Sequence, residues 1–401
     1  MADYDTLYDL VSSFSKRGEM PCLLHLTKEG MRSVHYPELS RKVLELARGL
    51  QARGIRKGDR LALLSEVRFE AIVAILGTIS AGAVIVPLDV QTGKDNLKRI
   101  LEDCDPRFVF TTSRYQGRLE AVESRQEIIL LDGDESGDKG IEHFSTREGD
   151  LPQTGDPDDT AILFYTSGTT GPPKGVPLSH GNIAYQLNTV SKTGLLAETD
   201  RALLPLPLHH VYPLVIGVFV PLSLGIAIVV PRSLTGPQVA RAIGEGKATV
   251  VIGVPRLYSA LVSGIQSRMG SDSRFGSLLF SSLIQISIFC RKRLGIYIGK
   301  KLFWFLHKRF GPQLRIVASG GSPLDPELAW KLEGLGWKVA IGYGLTETSP
   351  LLTINPPGDA RIGTVGRVIQ GTELRIEEKE EGDGGSGPGG EILVRGPGVF
   401  S

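Results

Sequence analysis

The amino-acid sequence predicts an α/β protein in which helices are layered on mostly parallel sheets, with a small β-barrel-like subdomain near the C-terminus. Three observations lead to this fold class. The chain has 401 residues, of which 41% are hydrophobic, enough to bury a sizeable core. Strand and helix patterns alternate between about residues 36 and 112. Near the C-terminus only strand patterns remain.

The alternation begins with a helix, because Leu39, Val43, Leu46 and Leu50 follow helical spacing and Gly54 stands where that helix would end. The following segments predict strands at 60–65, 83–88 and 108–112, and helices at 69–80 and 96–104. This order is typical of a parallel sheet covered by helices.

Later segments complete the predicted architecture. The polar stretch 132–159 predicts a long surface connection, and 372–377 and 391–395 predict two strands joined by a glycine-rich segment. The run 211–230 has no charged residue, but its prolines and glycines favour a short buried helix and then a strand over a membrane span. We expect one large domain with parts at about 1–160, 161–354 and 355–401.

Charge and cysteine content narrow the class of protein. The formal net charge is +1, which argues against a surface built to hold nucleic acid. The three cysteines are far apart and lack metal-ligand spacing, so they are expected to be free thiols in the cytoplasm. The N-terminus shows no secretory signal pattern.

A segment rich in hydroxyls and glycines follows the apolar strand pattern 161–164. Glycines let backbone N–H groups turn toward one point, hydroxyls add donors, and a lysine adds charge, so the segment predicts a cradle for phosphate oxygens. Its candidate phosphate-binding residues are Thr166, Ser167, Gly168, Thr169, Thr170, Gly171 and Lys174. The spacing around Lys174 does not match a P-loop, which argues against a P-loop NTPase.

This segment resembles the phosphate-loop signature of the adenylate-forming superfamily, which includes acyl-CoA synthetases, peptide-synthetase adenylation domains and luciferases. Three later blocks, 206–212, 318–324 and 342–347, resemble further motifs of that superfamily. The resemblance implies that ATP, Mg²⁺ and CoA take part. It implies adenine contacts from Gly321, Ser322, Pro323, Gly342 and Tyr343, an α-phosphate contact from Thr346, a metal ligand at Glu347, and a position beside the acyl and thiol channels for His210.

The stretch 273–324 contains no Asp or Glu and interleaves basic with apolar residues. It resembles the insertion of long-chain fatty acyl-CoA synthetases, so a long-chain acid is the expected substrate. Two interpretations of this stretch stay open: helices with a solvated basic face, and contact with an anionic membrane surface.

The reaction implied is attack of the acid on the α-phosphorus of ATP, followed by transfer of the acyl group to CoA or acyl carrier protein. A non-catalytic nucleotide- or acyl-binding module and a luciferase-type oxidase are the alternatives. Members of the superfamily continue past the region of 396–398 with a ribose-binding aspartate, a hinge and a small lysine-bearing lid domain. We therefore expect these parts to be absent and the chain alone to have very low activity.

Overall fold

The computed structural model describes residues 3–133, 140–149, 155–166, 171–270, 274–358, 361–378 and 390–401. Fifteen of the strands within these ranges form two large sheets, and two more form a separate ribbon. The strands are β1 (Pro21–Leu26), β2 (Met31–His35), β3 (Arg60–Leu64), β4 (Val84–Pro87), β5 (Phe108–Thr111), β6 (Glu127–Leu130), β7 (Thr160–Thr166), β8 (Lys174–Ser179), β9 (Arg201–Leu203), β10 (Ala227–Val230), β11 (Val250–Gly253), β12 (Ile316–Ser319), β13 (Lys338–Gly344), β14 (Leu351–Asn355), β15 (Arg367–Val368), β16 (Glu373–Glu378) and β17 (Gly390–Arg395).

Helices cover both faces of the two sheets. The α-helices in the described ranges are α1 (Leu7–Ser13), α2 (Tyr36–Ala52), α3 (Phe69–Ser80), α4 (Lys94–Cys104), α5 (Ser113–Ala121), α6 (His180–Lys192), α7 (Val220–Leu224), α8 (Gly236–Glu245), α9 (Pro255–Gly270), α10 (Arg274–Leu294), α11 (Gly299–Leu302), α12 (Trp304–Phe310) and α13 (Pro326–Gly334). Short 3₁₀ turns lie at Phe14–Arg17 and Thr346–Thr348, and a π-helical segment spans Tyr212–Phe219.

The first sheet has six strands in the order β6-β5-β3-β4-β7-β8, parallel except for the β7–β8 hairpin. Alternate residues of β3 face opposite ways. Leu61 and Leu63 join the core between the two sheets, whereas Ala62 and Leu64 pack under α4 and α5. A parallel sheet buried on both faces explains the nearly continuous apolar strands, and the predicted elements of residues 36–112 are confirmed within two residues.

The second sheet has nine strands in the order β15-β14-β13-β12-β11-β9-β10-β1-β2. Its central strands are parallel. At one edge β14 pairs antiparallel with β13 and β15 pairs antiparallel with β14, and at the other edge β2 pairs antiparallel with β1. One face packs against α2, α3, α6 and the π-helical segment in the core shared with the first sheet. The other face packs against α8 to α13. The chain therefore forms five layers. Helices make the two outer layers and the middle layer, and the two sheets lie between them.

The uncharged run 211–230 forms the π-helical segment, α7 and β10, and its residues from Val218 to Val230 are buried. The predicted buried helix followed by a strand is confirmed. Among the described helices, none combines the length and apolar character needed to cross a bilayer.

Two sequence predictions require correction. The C-terminal part does not form a barrel in the residues described: β16 and β17 make a two-stranded ribbon, which cannot close on itself, and β15 joins the nine-stranded sheet. The stretch 132–159 is not wholly a surface connection, because Ile141 and Phe144 are buried in the central core. The three cysteines are free thiols, as predicted.

Candidate functional site

Three neighbouring parallel strands of the nine-stranded sheet end side by side. Gly253 at the end of β11 pairs with Ser319 at the end of β12, and Ser319 pairs with Ile341 of β13. The segments that follow β12 and extend β13 are 320–323 and 342–344, which hold the predicted adenine-binding residues. The structure therefore brings Gly321, Ser322 and Pro323 to the same sheet edge as Gly342 and Tyr343, where ligands of open α/β sheets are generally bound.

Glycines at this edge are required by close packing. A Cβ on Gly320 would lie 2.9 Å from the ring of Tyr212, and a Cβ on Gly344 would lie 1.6 Å from the carbonyl oxygen of Pro350. Gly321 has a φ of +78°, which side chains rarely adopt. Close packing behind the two turns therefore requires glycine at these positions, while Ser322, Pro323 and Tyr343 remain at least partly exposed.

Tyr212 and Ser319 lie at the same strand ends, and no role was predicted for either residue. The Tyr212 hydroxyl donates to the carbonyl of Ala318 at 3.2 Å and lies 3.4 Å from that of Gly253, so it joins the ends of β11 and β12. The Ser319 hydroxyl is buried and has no hydrogen-bond partner among the described residues. A buried hydroxyl without a partner is costly, which marks this position as a place where a ligand atom could bind.

An apolar cavity of about 70 Å³ opens behind these strand ends. Tyr212, Ser319 and Gly342 form part of its wall, next to the predicted nucleotide-binding turns. The remaining wall is almost entirely aliphatic and comprises Val190, Leu195, Leu196, Ile216, Val250, Ile252, Ile316, Ala318, Ala340, Ile341, Leu351 and Ile354. Leu195 and Leu196 are only half-buried, so one end of the cavity lies close to the surface.

The predicted phosphate segment connects β7 to β8. Thr166 and Lys174 pair across this hairpin, Lys174 is exposed, and a Cβ on Gly171 would meet nothing within 4 Å. Ser167, Gly168, Thr169 and Thr170 lie outside the described residues. β8 contacts the 3₁₀ turn Thr346–Thr348, so the strand that begins at Lys174 packs beside the turn that holds the predicted metal ligand.

Glu347 lies in that 3₁₀ turn, half-buried, and its carboxylate has no ion-pair or hydrogen-bond partner among the described residues. The turn is held from two sides. The Gln186 amide, in α6, donates to the carbonyls of Thr348 and Leu351, both at 3.0 Å. The Phe400 N–H donates to the carbonyl of Glu347 at 2.9 Å. Gln186 was not predicted from the sequence, because no local pattern links α6 to residues 162 and 165 positions later.

His210 and its neighbour His209 lie where the two sheets meet. Their rings are 4.1 Å apart, and the Nε2 of His209 is 3.8 Å from a carboxylate oxygen of Asp89, which follows β4 of the first sheet. Burial, and then the charge of His210, lower the pKa of His209 to about 4. Loss of solvent around the ring also lowers the pKa of His210. Both shifts favour the neutral imidazole, and His210, which is exposed on one side, can offer a hydrogen bond without a positive charge.

The site fits a nucleotide with a magnesium ion. Within the described ranges, no group of three or more His, Cys, Asp or Glu side chains could hold a metal alone. A single free carboxylate suits Mg²⁺, because this ion is usually bound by one or two carboxylates together with substrate phosphates and water. Glycine-lined turns, an exposed lysine and one carboxylate at a sheet edge are typical of a nucleotide-binding α/β protein.

Comparison with known proteins identifies the family. The sequence profile of the family described as AMP-binding enzyme matches residues 13–401. A feruloyl-CoA synthase from Amycolatopsis sp is 28% identical over 387 residues, which cover 96% of this chain and 69% of that protein. The long-chain-fatty-acid–CoA ligase FadD15 of Mycobacterium tuberculosis is 27% identical over 393 residues, which cover 91% of this chain and 62% of that protein. The chain belongs to the AMP-binding enzyme family, as its motifs predicted.

Solved structures of similar proteins support the same fold. The long-chain-fatty-acid-CoA ligase FadD1 from Archaeoglobus fulgidus superposes with a TM-score of 0.80 at 22% identity, covering 100% of this chain and 76% of that one. The o-succinylbenzoate CoA synthetase MenE from Bacillus subtilis, in complex with AMP, gives 0.74 at 22% identity, covering 98% and 70%. At these identities the likeness establishes the fold alone. The chain thus spans between about three fifths and three quarters of these four proteins.

Proposed function

We propose that this protein activates a fatty acid with ATP to an acyl-adenylate and transfers the acyl group to CoA. Activation of acyl or aryl acids is the chemistry of the CoA-ligase relatives, and their names differ in the acid: ferulate, long-chain fatty acids and indoleacetate. The proposal therefore has two levels, the adenylation chemistry and the choice of acid. The first rests on the family and the second on the cavity.

The aliphatic wall of the cavity is the observation that carries the choice of a fatty acid. An aryl acid such as ferulate carries a hydroxyl, and burying a hydroxyl without a partner costs about 1–3 kcal/mol. Apart from Tyr212 and Ser319, which lie at its nucleotide end, the wall is lined by aliphatic side chains and Gly342. A plain hydrocarbon chain fits such a wall. The cavity holds only a short segment of chain in this conformation, and the half-buried Leu195 and Leu196 mark where a long chain would extend.

The residues around the strand ends would divide the work of adenylation. Lys174 and the backbone of its hairpin would hold phosphate oxygens, Thr346 would contact the α-phosphate, and Tyr343 would stack on adenine. Glu347 would hold Mg²⁺, which neutralises charge on the phosphates. His210 would lie beside the reacting carboxylate. No protein nucleophile is needed, because positioning and charge neutralisation lower the barrier.

Binding of acyl-adenylate mimics separates the two levels. Acyl-sulfamoyl adenosines with chains of 2, 8, 12 and 16 carbons, and a feruloyl form, are titrated calorimetrically into the purified chain. Each buried methylene adds about 0.8 kcal/mol, so we expect affinity to rise about fourfold per methylene until the cavity is filled. If no mimic bound more tightly than AMP, adenylation itself would be refuted. If the feruloyl form bound most tightly, the choice of a fatty acid would be refuted, and the adenylation chemistry would stand.

A variant that fills the cavity provides the matched control. Ala340 is buried and forms part of the wall, so Ala340→Leu places extra methyl groups where the acyl chain would lie. We expect it to lose affinity for the mimics of 12 and 16 carbons by at least tenfold and to keep that for the acetyl mimic within threefold. Equal losses for all mimics would indicate general damage to the nucleotide site.

Acyl carrier protein is the second candidate acceptor. The long-chain-fatty-acid–[acyl-carrier-protein] ligase AEE15 of Arabidopsis thaliana is 27% identical over 457 residues, covering 97% of this chain and 62% of that protein. The two acceptors are separated by offering CoA and a phosphopantetheinyl carrier protein to preformed acyl-adenylate. Pyrophosphate release with ATP and a fatty acid, measured on a protein that also carries the lid domain, tests the non-catalytic alternative, because a binding module would release none.

A further inference from the structure

Helices α10 and α12 expose large apolar side chains to solvent. We define the basic-apolar surface as the outward side of α10, α12 and the segment between them. Its apolar members are Leu278, Leu279, Ile286, Phe289, Leu294, Ile296, Trp304 and Phe305, of which Leu278, Phe289 and Trp304 are 68%, 60% and 61% exposed. Single exposed apolar residues are ordinary on protein surfaces, but a cluster of this kind marks a surface that contacts something else.

These side chains are not needed to hold α10 on the protein. The inward side of the helix has its own apolar residues, Phe280, Ile284 and Ile288, which are buried against α9 and α13. Arg291 also points inward, where it pairs with the buried carboxylate of Glu333 at 2.9 Å. The outward apolar residues of α10 are therefore additional to the fold.

The apolar residues of the two helices are adjacent. The ring of Phe280 in α10 lies 5.4 Å from that of Phe303, which immediately precedes α12. Phe303 in turn lies 6.5 Å from Phe305, and Phe305 is 6.5 Å from Trp304. This chain of ring contacts passes from the buried side of α10 to the exposed rings of α12. Both helices pack on the same face of the nine-stranded sheet, and the exposed Leu294 and Ile296 lie at the end of α10 and in the segment that leads to α12. The exposed residues of the two helices therefore belong to one side of the protein.

The charge of this surface is of one sign. Between residues 273 and 324 the sequence has no Asp or Glu. The exposed basic residues on α10 to α12 are Lys292, Arg293, Lys300, Lys301, Lys308 and Arg309. The whole chain has a net charge of only +1, so the positive charge is concentrated here and balanced elsewhere. Exposed Trp, Phe and Leu beside Lys and Arg are typical of elements that lie in the interface of an anionic bilayer.

We propose that the basic-apolar surface binds the headgroup region of an anionic lipid bilayer, with the exposed rings and aliphatic side chains inserted between the lipids. Lys and Arg at its rim contact the anionic headgroups. The protein binds peripherally and reversibly, through charge and insertion together. This proposal does not depend on the nucleotide site or on its substrate.

Vesicle sedimentation tests it. The purified chain is mixed with phosphatidylcholine vesicles containing 0% or 30% phosphatidylglycerol, at about 0.05 M and 0.5 M salt. We expect binding to the anionic vesicles at least tenfold tighter than to the neutral ones, and most of that difference lost at high salt, where the screening length falls to a few ångströms. Equal binding to both vesicles, or no binding, would overturn the proposal.

Variants locate the contact. Phe289→Ser with Trp304→Ser removes two inserted rings, and Lys308→Glu with Arg309→Glu reverses two charges. Each pair is expected to weaken binding to anionic vesicles at least tenfold. The matched controls are Leu234→Ser, which is 57% exposed outside the surface, and Lys28→Glu with Lys94→Glu, which reverses two exposed charges elsewhere. Each control should change the affinity for anionic vesicles by less than twofold. A control that weakened binding as much as its matched variant would refute the placement of the contact on the basic-apolar surface.

Self-association is the competing outcome. If a second copy of the chain covered this surface, the parent would sediment as a dimer in analytical ultracentrifugation without lipid. Phe289→Ser with Trp304→Ser would then convert it to a monomer, and the vesicles would retain neither form. That combination of results would overturn the bilayer proposal and show that a second copy of the chain covers the surface.

Discussion

Gly344 offers the sharpest test of how the nucleotide site is built. It ends β13, and a Cβ at this position would lie 1.6 Å from the carbonyl oxygen of Pro350 and 2.6 Å from its carbonyl carbon. Real Cβ atoms essentially never lie closer than 3.0 Å to a neighbouring atom. In Gly344→Ala the two backbones must therefore separate by about 1.4 Å, the difference between 3.0 and 1.6 Å.

The cost follows from what that separation disrupts. Overpacking of a closely packed site costs about 1–3 kcal/mol. The Leu345 N–H donates to the Pro350 carbonyl at 3.1 Å, and loss of that hydrogen bond adds about 1 kcal/mol. Thr346 and Glu347 follow directly, so the shift also displaces the predicted phosphate and metal contacts. We expect a loss of about 2–4 kcal/mol shared between folding and nucleotide binding, with ATP affinity at least tenfold lower.

Two further glycine variants calibrate the measurement. In Gly342→Ala the new Cβ would lie 2.8 Å from the Cδ1 of Leu351, a side-chain end that can move, so the loss should be smaller. In Gly117→Ala the new Cβ meets nothing within 4 Å on the exposed side of α5, and alanine should stabilise that helix by about 0.5–1 kcal/mol. Thermal unfolding and calorimetric ATP titration are measured for all three. A Gly344→Ala protein that melts and binds ATP like the parent would refute the reasoning.

Three other predictions concern single side chains. In the complete enzyme with its lid domain, Lys174→Ala should lower kcat/KM for ATP at least tenfold, about 1.4 kcal/mol, in a pyrophosphate-release assay, and an unchanged value would remove Lys174 from the site. Glu347→Gln should raise the Mg²⁺ concentration needed for half-maximal ATP binding, and normal binding at limiting Mg²⁺ would contradict a metal role. Burial lowers the pKa of His180 from 6.5 to about 4, and its Nδ1 accepts the Leu7 N–H at 3.3 Å, so stability should be full above pH 6.5 and fall by about 3 kcal/mol as the pH drops toward 4. His180→Asn keeps an acceptor without the titration, and urea midpoints from pH 7 to 4 should fall less steeply for it than for the parent.

The sequence predicted well those helices and strands whose formation depends on the spacing of nearby residues. The helices and strands of residues 36–112 follow from apolar spacing, because each strand is buried on both faces, α2 and α4 each have one apolar side, and α3 is buried nearly all round. The nucleotide-binding blocks were also identifiable, since glycine, hydroxyl and carboxylate residues in a fixed order carry their own chemistry. The division at about 160 and 354 stays a prediction, as do the roles assigned to the individual site residues.

Long-range partners could not be predicted from such patterns. β1 pairs with β10, about 200 residues later, and nothing in either segment specifies the other. Tyr212 supports the turn at Gly320 only because β11 and β12 are neighbours. The barrel expected near the C-terminus was wrong for a related reason: alternating strands predict a β structure, but whether its edges close depends on how many strands meet there.

α6 explains how two distant motifs reach one place. It begins directly after β8, the strand that starts at Lys174, and is therefore joined to the phosphate hairpin without an intervening loop. Through Gln186 the same helix holds the carbonyl groups of Thr348 and Leu351 on either side of the turn that follows Glu347. The lysine and the carboxylate, the two charged groups expected at the phosphates, are thus fixed relative to each other by one rigid element. Because catalysis by positioning tolerates displacements of less than about 1 Å, α6 belongs to the site although none of its side chains carries the chemistry.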